Sequence, residues 1–95
     1  MYYLIHAVQK DTVWAADPTF RTKIMMVSAE KQILRDRIGE IYRTQIENGE
    51  VYDEDCDYDW EFNYLSFFSF EDDGPTTNYY SICSDIAIEE NIKRN

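Results

Sequence analysis

Carboxylates are the side chains of this sequence whose type and spacing could do chemistry. They are densest in residues 50–64, EVYDEDCDYDWEFNY, where acidic residues alternate with mostly aromatic ones. In an extended chain, successive side chains point to opposite faces, so one face would carry carboxylates about 6.8 Å apart. That row is Asp53, Asp55, Asp57, Asp59 and Glu61, and the opposite row is Cys56, Tyr58, Trp60, Phe62 and Tyr64. A line of negative charge at this spacing resembles a nucleic-acid backbone, and we expect it to face a basic partner.

The same stretch is compatible with a solvated acidic loop over residues 50–59, with a strand that starts only at Trp60. Aspartate is a poor strand former, and residues 52–56 offer few core side chains. Burying an aromatic side chain contributes about 1.5 to 3 kcal/mol, and repulsion along the whole row costs roughly 1 to 2 kcal/mol in physiological salt. A strand is therefore allowed, and the sequence leaves both alternatives open.

A calcium site is the first chemical alternative, because the D-x-D-x-D spacing resembles the opening of an EF-hand loop. If Asp53 is position one, position six is Tyr58 rather than Gly and position twelve is Tyr64 rather than Glu. Two cysteines without CxxC spacing and one histidine also make a structural zinc site improbable. We expect weak adventitious cation binding at most, and no dedicated metal site.

Catalysis is the second alternative. A paired-carboxylate hydrolase needs two acids in different environments, and this stretch holds many similar ones. The chain has no Gly-rich phosphate loop and no nucleophile elbow. We therefore predict no catalytic residue, no cofactor and no enzymatic activity.

The acidity of the chain is one block rather than an even coat. The net charge is −10 and the isoelectric point about 4.3. Residues 1–46 carry seven basic and five acidic groups, residues 47–73 carry eleven acidic and no basic groups, and residues 74–95 carry two and three. This distribution argues against direct nucleic-acid binding and favours a basic protein partner.

The length of 95 residues predicts one domain, residues 1–95. Residues 1–10 do not read as a secretory signal, and no apolar run is long enough for a membrane span, so we expect a cytoplasmic protein. Cys56 and Cys83 are then half-buried or buried thiols, and His6 is a hydrogen-bonded or surface histidine. We expect a monomer or a homodimer.

The elements that would position the acidic stretch form an α+β domain, with a small antiparallel sheet of about four strands and one amphipathic helix packed on one face. The predicted strands are residues 2–8, 21–27, 60–70 and 77–88, the helix is residues 29–48, and the acidic segment is residues 50–61. Ser28 is the expected N-cap, and Asn48-Gly49 ends the helix. Gly39 within the helix suggests close packing there. A short helix starting near Ser84 is an alternative for the end of the chain.

Two binding functions follow. In the first, a small inhibitor occupies the nucleic-acid channel of a nuclease or another nucleic-acid enzyme, by DNA mimicry; in size and charge the chain resembles small acidic phage proteins, including several anti-restriction and anti-CRISPR proteins, without a shared motif. In the second, an immunity protein or antitoxin caps a basic toxin. An acidic accessory or scaffold domain is the third alternative. The predicted partner-binding residues are Tyr52, Asp53, Glu54, Asp55, Asp57, Tyr58, Asp59, Trp60, Glu61, Glu71, Asp72 and Asp73.

Overall fold

Five strands and one helix follow one another in a computed structural model that describes residues 1–10, 19–71 and 74–84. The elements are β1 (Tyr2–Lys10), β2 (Thr19–Ser28), α1 (Lys31–Glu47), a short 3-10 helix (Asp53–Asp55), β3 (Cys56–Tyr58), β4 (Tyr64–Glu71) and β5 (Gly74–Ser84). The predicted α+β class is confirmed, with five strands in place of about four.

All five strands form one antiparallel sheet in the order β2-β1-β5-β4-β3. Strand β1 has a neighbour on each side, as its apolar residues on both faces predict. The pairing of β1 with β2 shifts between Leu4 and Ile5, because Leu4 faces Met26 while Ile5 faces Ile24. Met25 is the extra residue of this bulge.

The core lies between α1 and one face of the sheet. Leu34, Ile38 and Ile41 of the helix are buried against strand residues from β1, β4 and β5, of which Leu4 and Leu65 are the most deeply buried. Each of these fully buried aliphatic side chains stabilises the fold by about 1.5 to 3 kcal/mol. The 3.6-residue spacing of the apolar helix residues therefore fixes which face of the sheet is covered.

The ends of α1 differ in how well the sequence predicts them. The N-cap is Glu30, not Ser28, and the Ser28 hydroxyl oxygen instead accepts a hydrogen bond from the Glu30 N–H at 3.0 Å. At the other end, Gly49 has a φ of 69°, its N–H donates to the Ile46 carbonyl, and the Glu50 N–H donates to the Gln45 carbonyl, both at 3.1 Å. This is the Schellman arrangement that Asn48-Gly49 predicts.

The prediction that residues 53–61 form one extended strand is wrong. Residues 53–55 form the 3-10 helix, only residues 56–58 pair with β4, and residues 59–62 turn, with the Phe62 N–H donating to the Asp59 carbonyl at 3.0 Å. The loop alternative is also only partly right, because β3 lies inside it and β4 begins at Tyr64 rather than Trp60. Strand β5 begins at Gly74, earlier than predicted, and residues 85–88 of the predicted strand lie outside the described residues, as does the alternative helix beyond Ser84.

Phe62 closes this turn against the helix. Its φ of 60° is left-handed, which costs a residue with a side chain about 1 to 2 kcal/mol. Its ring lies over Gly39, where an added Cβ would stand 3.3 Å from the Phe62 Cδ2 atom. The absence of a side chain at Gly39 therefore permits this close approach, in agreement with the packing that a glycine in mid-helix suggests.

We predict that Phe62→Ala lowers the free energy of unfolding by about 2 kcal/mol, less than the 3 to 5 kcal/mol of a fully buried phenylalanine because this ring is half-buried. Urea denaturation at neutral pH measures the change. Ile33→Ala is the control, because the Ile33 side chain is 45% exposed on the helix. Equal losses in the two variants would contradict the role assigned to Phe62.

Candidate acidic binding surface

A carboxylate held by two tyrosines attaches the acidic segment to the helix. Asp53 Oδ1 accepts hydrogen bonds from the hydroxyl of Tyr42 in α1 and from that of Tyr58 in β3, the latter at 2.8 Å. The ring centroids of Tyr42 and Tyr58 are 4.7 Å apart, and those of Tyr58 and Phe62 are 5.2 Å apart. We call Tyr42, Asp53, Tyr58 and Phe62 the tyrosine clamp. It joins the helix, the 3-10 helix, β3 and the following turn.

The tyrosine clamp favours an ionised Asp53. The hydrogen bond from Tyr42, followed by that from Tyr58, lowers the pKa of the Asp53 carboxyl below its ordinary value. The same bond to the carboxylate raises the pKa of the Tyr42 hydroxyl, because loss of its proton would break the bond and place two negative charges together. Around neutral pH the acceptor is therefore charged and its donors neutral.

A second set of contacts fixes the turn after β3. The Asp59 carboxylate accepts hydrogen bonds from the backbone N–H and from the side-chain amide of Asn63, each at 2.6 Å. Arg35 of the helix donates from Nε to Asn63 Oδ1 at 2.8 Å and pairs with the Glu61 carboxylate at 3.0 Å. Partial burial acts to raise the pKa of Asp59, but the hydrogen bonds from Asn63 outweigh it, so the pKa is lowered.

The remaining carboxylates of the segment face solvent. Glu50, Glu54 and Asp55 are exposed, and their carboxylates form no hydrogen bond or ion pair within the part of the chain that the structure describes. The aromatic side chain of Tyr52 stands between them in sequence and is 70% exposed. Glu50, Tyr52, Glu54 and Asp55 are called the acidic surface below. Trp60, which is 85% exposed, lines a different pocket together with Arg35 and Arg43 of the helix. Asp57, also exposed, is approached by the Tyr64 hydroxyl at 3.3 Å.

A shallow cleft of about 460 Å³ opens within this region. The cleft is lined by the carboxylates of Glu50 and Asp55 and by Tyr52. Buried Val51 and, from β4, Phe68 and Ser69 form the rest of its lining. An aromatic wall and two carboxylates suit the aliphatic stem and the charged head of a lysine or an arginine.

The twelve predicted partner-binding residues therefore separate into groups. Asp53 and Tyr58 come together inside the tyrosine clamp, and Asp59 and Glu61 stabilise the turn. Trp60, assigned by parity to the buried row, is instead the most exposed of the large side chains. Glu71 ends β4, and Asp72 and Asp73 lie outside the described residues.

Sequence reasoning missed three residues of the site. Tyr42 reads as an ordinary core position of the helix, Arg35 as a surface charge, and Asn63 as part of a strand. The available signal was chemical, because two tyrosines and an asparagine near a dense run of carboxylates are natural hydrogen-bond donors to it.

There is little support for a metal site or a membrane-spanning helix in residues 1–10, 19–71 and 74–84. No three His, Cys, Asp or Glu side chains there are arranged to hold a metal ion, and no helix there is long and apolar enough to cross a bilayer. His6 stacks on Tyr80 with ring centroids 4.3 Å apart and shares a 3.0 Å hydrogen bond with Asn78 Oδ1.

Comparisons with protein-family models, with curated proteins and with solved structures find no match for the chain.

We predict that the free energy of unfolding depends on pH through Asp53. Its pKa is lowered on folding, so its contribution is present above the unfolded pKa of about 3.9 and is lost as pH falls through the folded value. Asp53→Asn should therefore be less stable than wild type at pH 7 and approach its stability as the pH falls below the unfolded pKa, as urea denaturation across the pH range would show. Asp55→Asn, whose carboxylate has no partner among the described residues, is the control. The same pH profile in both variants would contradict the clamp.

Proposed function

We propose that this chain is a small acidic inhibitor, rather than an enzyme, that acts in the cytoplasm by binding the basic nucleic-acid-binding surface of a nuclease or another nucleic-acid enzyme. The observation that carries the proposal is the acidic surface, where carboxylates without a partner among the described residues adjoin the exposed side chain of Tyr52. Carboxylates steer a basic partner and set its orientation, while aromatic side chains supply most of the energy of a typical interface.

The preformed shape of the segment supports the proposal. Asp53 is hydrogen-bonded within the tyrosine clamp, Asp59 is hydrogen-bonded to Asn63, and Glu61 is paired with Arg35. These internal bonds hold the other carboxylates in place. A surface that is already ordered loses less conformational entropy on binding than a flexible acidic tail would. Three carboxylates therefore act as structural acceptors so that their neighbours can act as ligands.

The cleft beside β4 indicates what the partner contributes. An arginine or lysine of the partner can lay its stem against Phe68 and direct its charge toward Glu50 and Asp55. Side chains of this kind line the channels that hold nucleic-acid phosphates.

The proposed mimicry of nucleic acid does not use a regularly spaced row of carboxylates. Because residues 53–61 are not one extended strand, the carboxylates do not repeat at the spacing of a strand. The proposal therefore rests on sign and local density of charge, with a cleft that takes a basic side chain. An immunity protein that caps a basic nuclease toxin would use the same surface, and the two differ in the identity of the partner.

We predict that removing two charges from the cleft weakens partner binding about tenfold, because each half-exposed ion pair contributes roughly 0.5 to 1 kcal/mol. The variant is Glu50→Gln with Asp55→Asn, and the charge-matched control is Glu30→Gln with Glu40→Gln in the exposed part of the helix region. Tagged protein is used to capture partners from a lysate of the source cells, with duplex DNA as competitor, and affinity for the captured enzyme is then measured.

The expected result is a nucleic-acid enzyme that duplex DNA displaces, that binds the control variant normally and that binds the cleft variant weakly. A partner that both variants hold equally, or that duplex DNA does not displace, would contradict the proposal. Asp53 and Asp59 are left unchanged because their replacement would alter the fold as well as the charge.

We predict a larger effect for Trp60→Ala, which should weaken binding by about 2 kcal/mol, or roughly thirtyfold, if the indole is an interface anchor. Because the side chain is 85% exposed, its removal should leave the urea midpoint of the free protein unchanged. Ile33→Ala, at a 45% exposed helix position, is the control. Full affinity in the Trp60 variant would show that the indole does not anchor the interface.

A further inference from the structure

One face of the sheet carries no helix from residues 1–10, 19–71 and 74–84. The helix packs on the face that holds Leu4, Leu65 and Tyr80, and no described element covers the opposite face. The strand register brings apolar side chains of four strands together there: Ile5, Ile24, Val27, Tyr64, Phe68 and Tyr79. These six residues are called the open face. Phe68, at its margin, also lines the cleft of the acidic surface.

The open face is unusual for a sheet surface in water. An antiparallel sheet with one solvated face ordinarily alternates apolar residues toward the core with polar residues toward solvent. Here Ile24 is 54% exposed, Phe68 is 52% exposed and Val27 is 47% exposed. The uncharged residues Ser66, Thr77 and Ser81 lie among these apolar side chains. Several large apolar side chains exposed on one sheet face are typical of a protein interface.

The charge of the open face restricts its partner. The only described carboxylate or cation that the register places on this side is Asp57, at the β3 edge. A basic protein would find no complementary charge there. A second copy of the chain would bring an identical apolar face, and it could do so despite a net charge of −10 on each copy because the acidic segment, residues 50–61, lies at and beyond the β3 edge of the sheet.

The size of the open face suits such a contact. Four strands about 4.8 Å apart, each contributing about eight residues of 3.3 Å, cover roughly 500 Å² in projection, which is of the same order as the roughly 800 Å² that a stable interface buries on each partner. The molecule is 17 Å across its thinnest dimension, which is the thickness of one sheet and one helix layer. Two such sheets pack face to face about 10 Å apart in ordinary β-sandwiches.

We propose that the open face is the interface of a symmetric homodimer, in which two copies pack sheet against sheet and the helices lie outermost. A two-fold axis uses the same patch on both copies, so one apolar face is sufficient. The dimer should tighten as salt rises, because salt screens the repulsion between two acidic chains. The acidic surface should respond in the opposite direction toward its basic partner, so the two contacts are separable by experiment.

The test is sedimentation equilibrium of the full chain at about 100 µM, in about 0.15 M and about 0.5 M sodium chloride. Wild type should have twice the chain mass of 11.4 kDa, with the tighter association at high salt. Ile24→Thr with Tyr79→Thr should raise the dissociation constant about a hundredfold while threonine keeps the strand propensity. Ile33→Thr, on the exposed side of the helix, should remain dimeric.

Val27→Lys is a second variant of the same face, and it should also be monomeric because it would bury a charge at the interface. Circular dichroism and urea denaturation establish that each variant is folded. A wild-type monomer at both salt concentrations would overturn the proposal, including the case in which a different protein covers the open face. Dimerisation of both folded open-face variants as strong as that of wild type would overturn it equally.

Discussion

The structure around the acidic segment depends on one ionised carboxylate, Asp53, held between the hydroxyls of Tyr42 and Tyr58. A run of eleven acidic residues without a basic one repels itself and would ordinarily stay solvated. Here the tyrosines supply hydrogen bonds without introducing positive charge, and their rings pack with Phe62 against the helix. The segment is thereby folded and still strongly negative, which a set of lysine or arginine pairs would not allow.

This arrangement divides the carboxylates by role. Those bonded to tyrosine, asparagine or arginine shape the segment, and those left exposed beside Tyr52 are available to a partner. Free energy from core packing of Phe62 and Tyr58 offsets both the left-handed backbone at Phe62 and the mutual repulsion of the acids. The close approach of Phe62 to Gly39 connects the binding surface directly to the middle of the helix.

Much of the fold could be predicted from the sequence, because periodicity and capping are local signals. The apolar spacing of Leu34, Ile38 and Ile41 predicts the helix and its buried face, and Asn48-Gly49 predicts its end. The acidic segment could not be predicted in the same way. Alternation of Asp with aromatic residues has the period of a strand, but a carboxylate that meets a tyrosine hydroxyl from a distant element gains more than it would in a solvated row. That donor, Tyr42, is invisible to a local pattern, and so is the positive φ of Phe62.

A preformed acidic surface requires that the acidic segment is ordered in the free protein. Backbone ¹⁵N relaxation at pH 7 tests this most directly, residue by residue, without a partner. We expect order parameters of about 0.85 for the amides of residues 52–63. These values should equal those of α1, to which the tyrosine clamp joins the segment. Order parameters below about 0.6 across the same residues, with a rigid helix, would show a solvated acidic loop and would contradict the account.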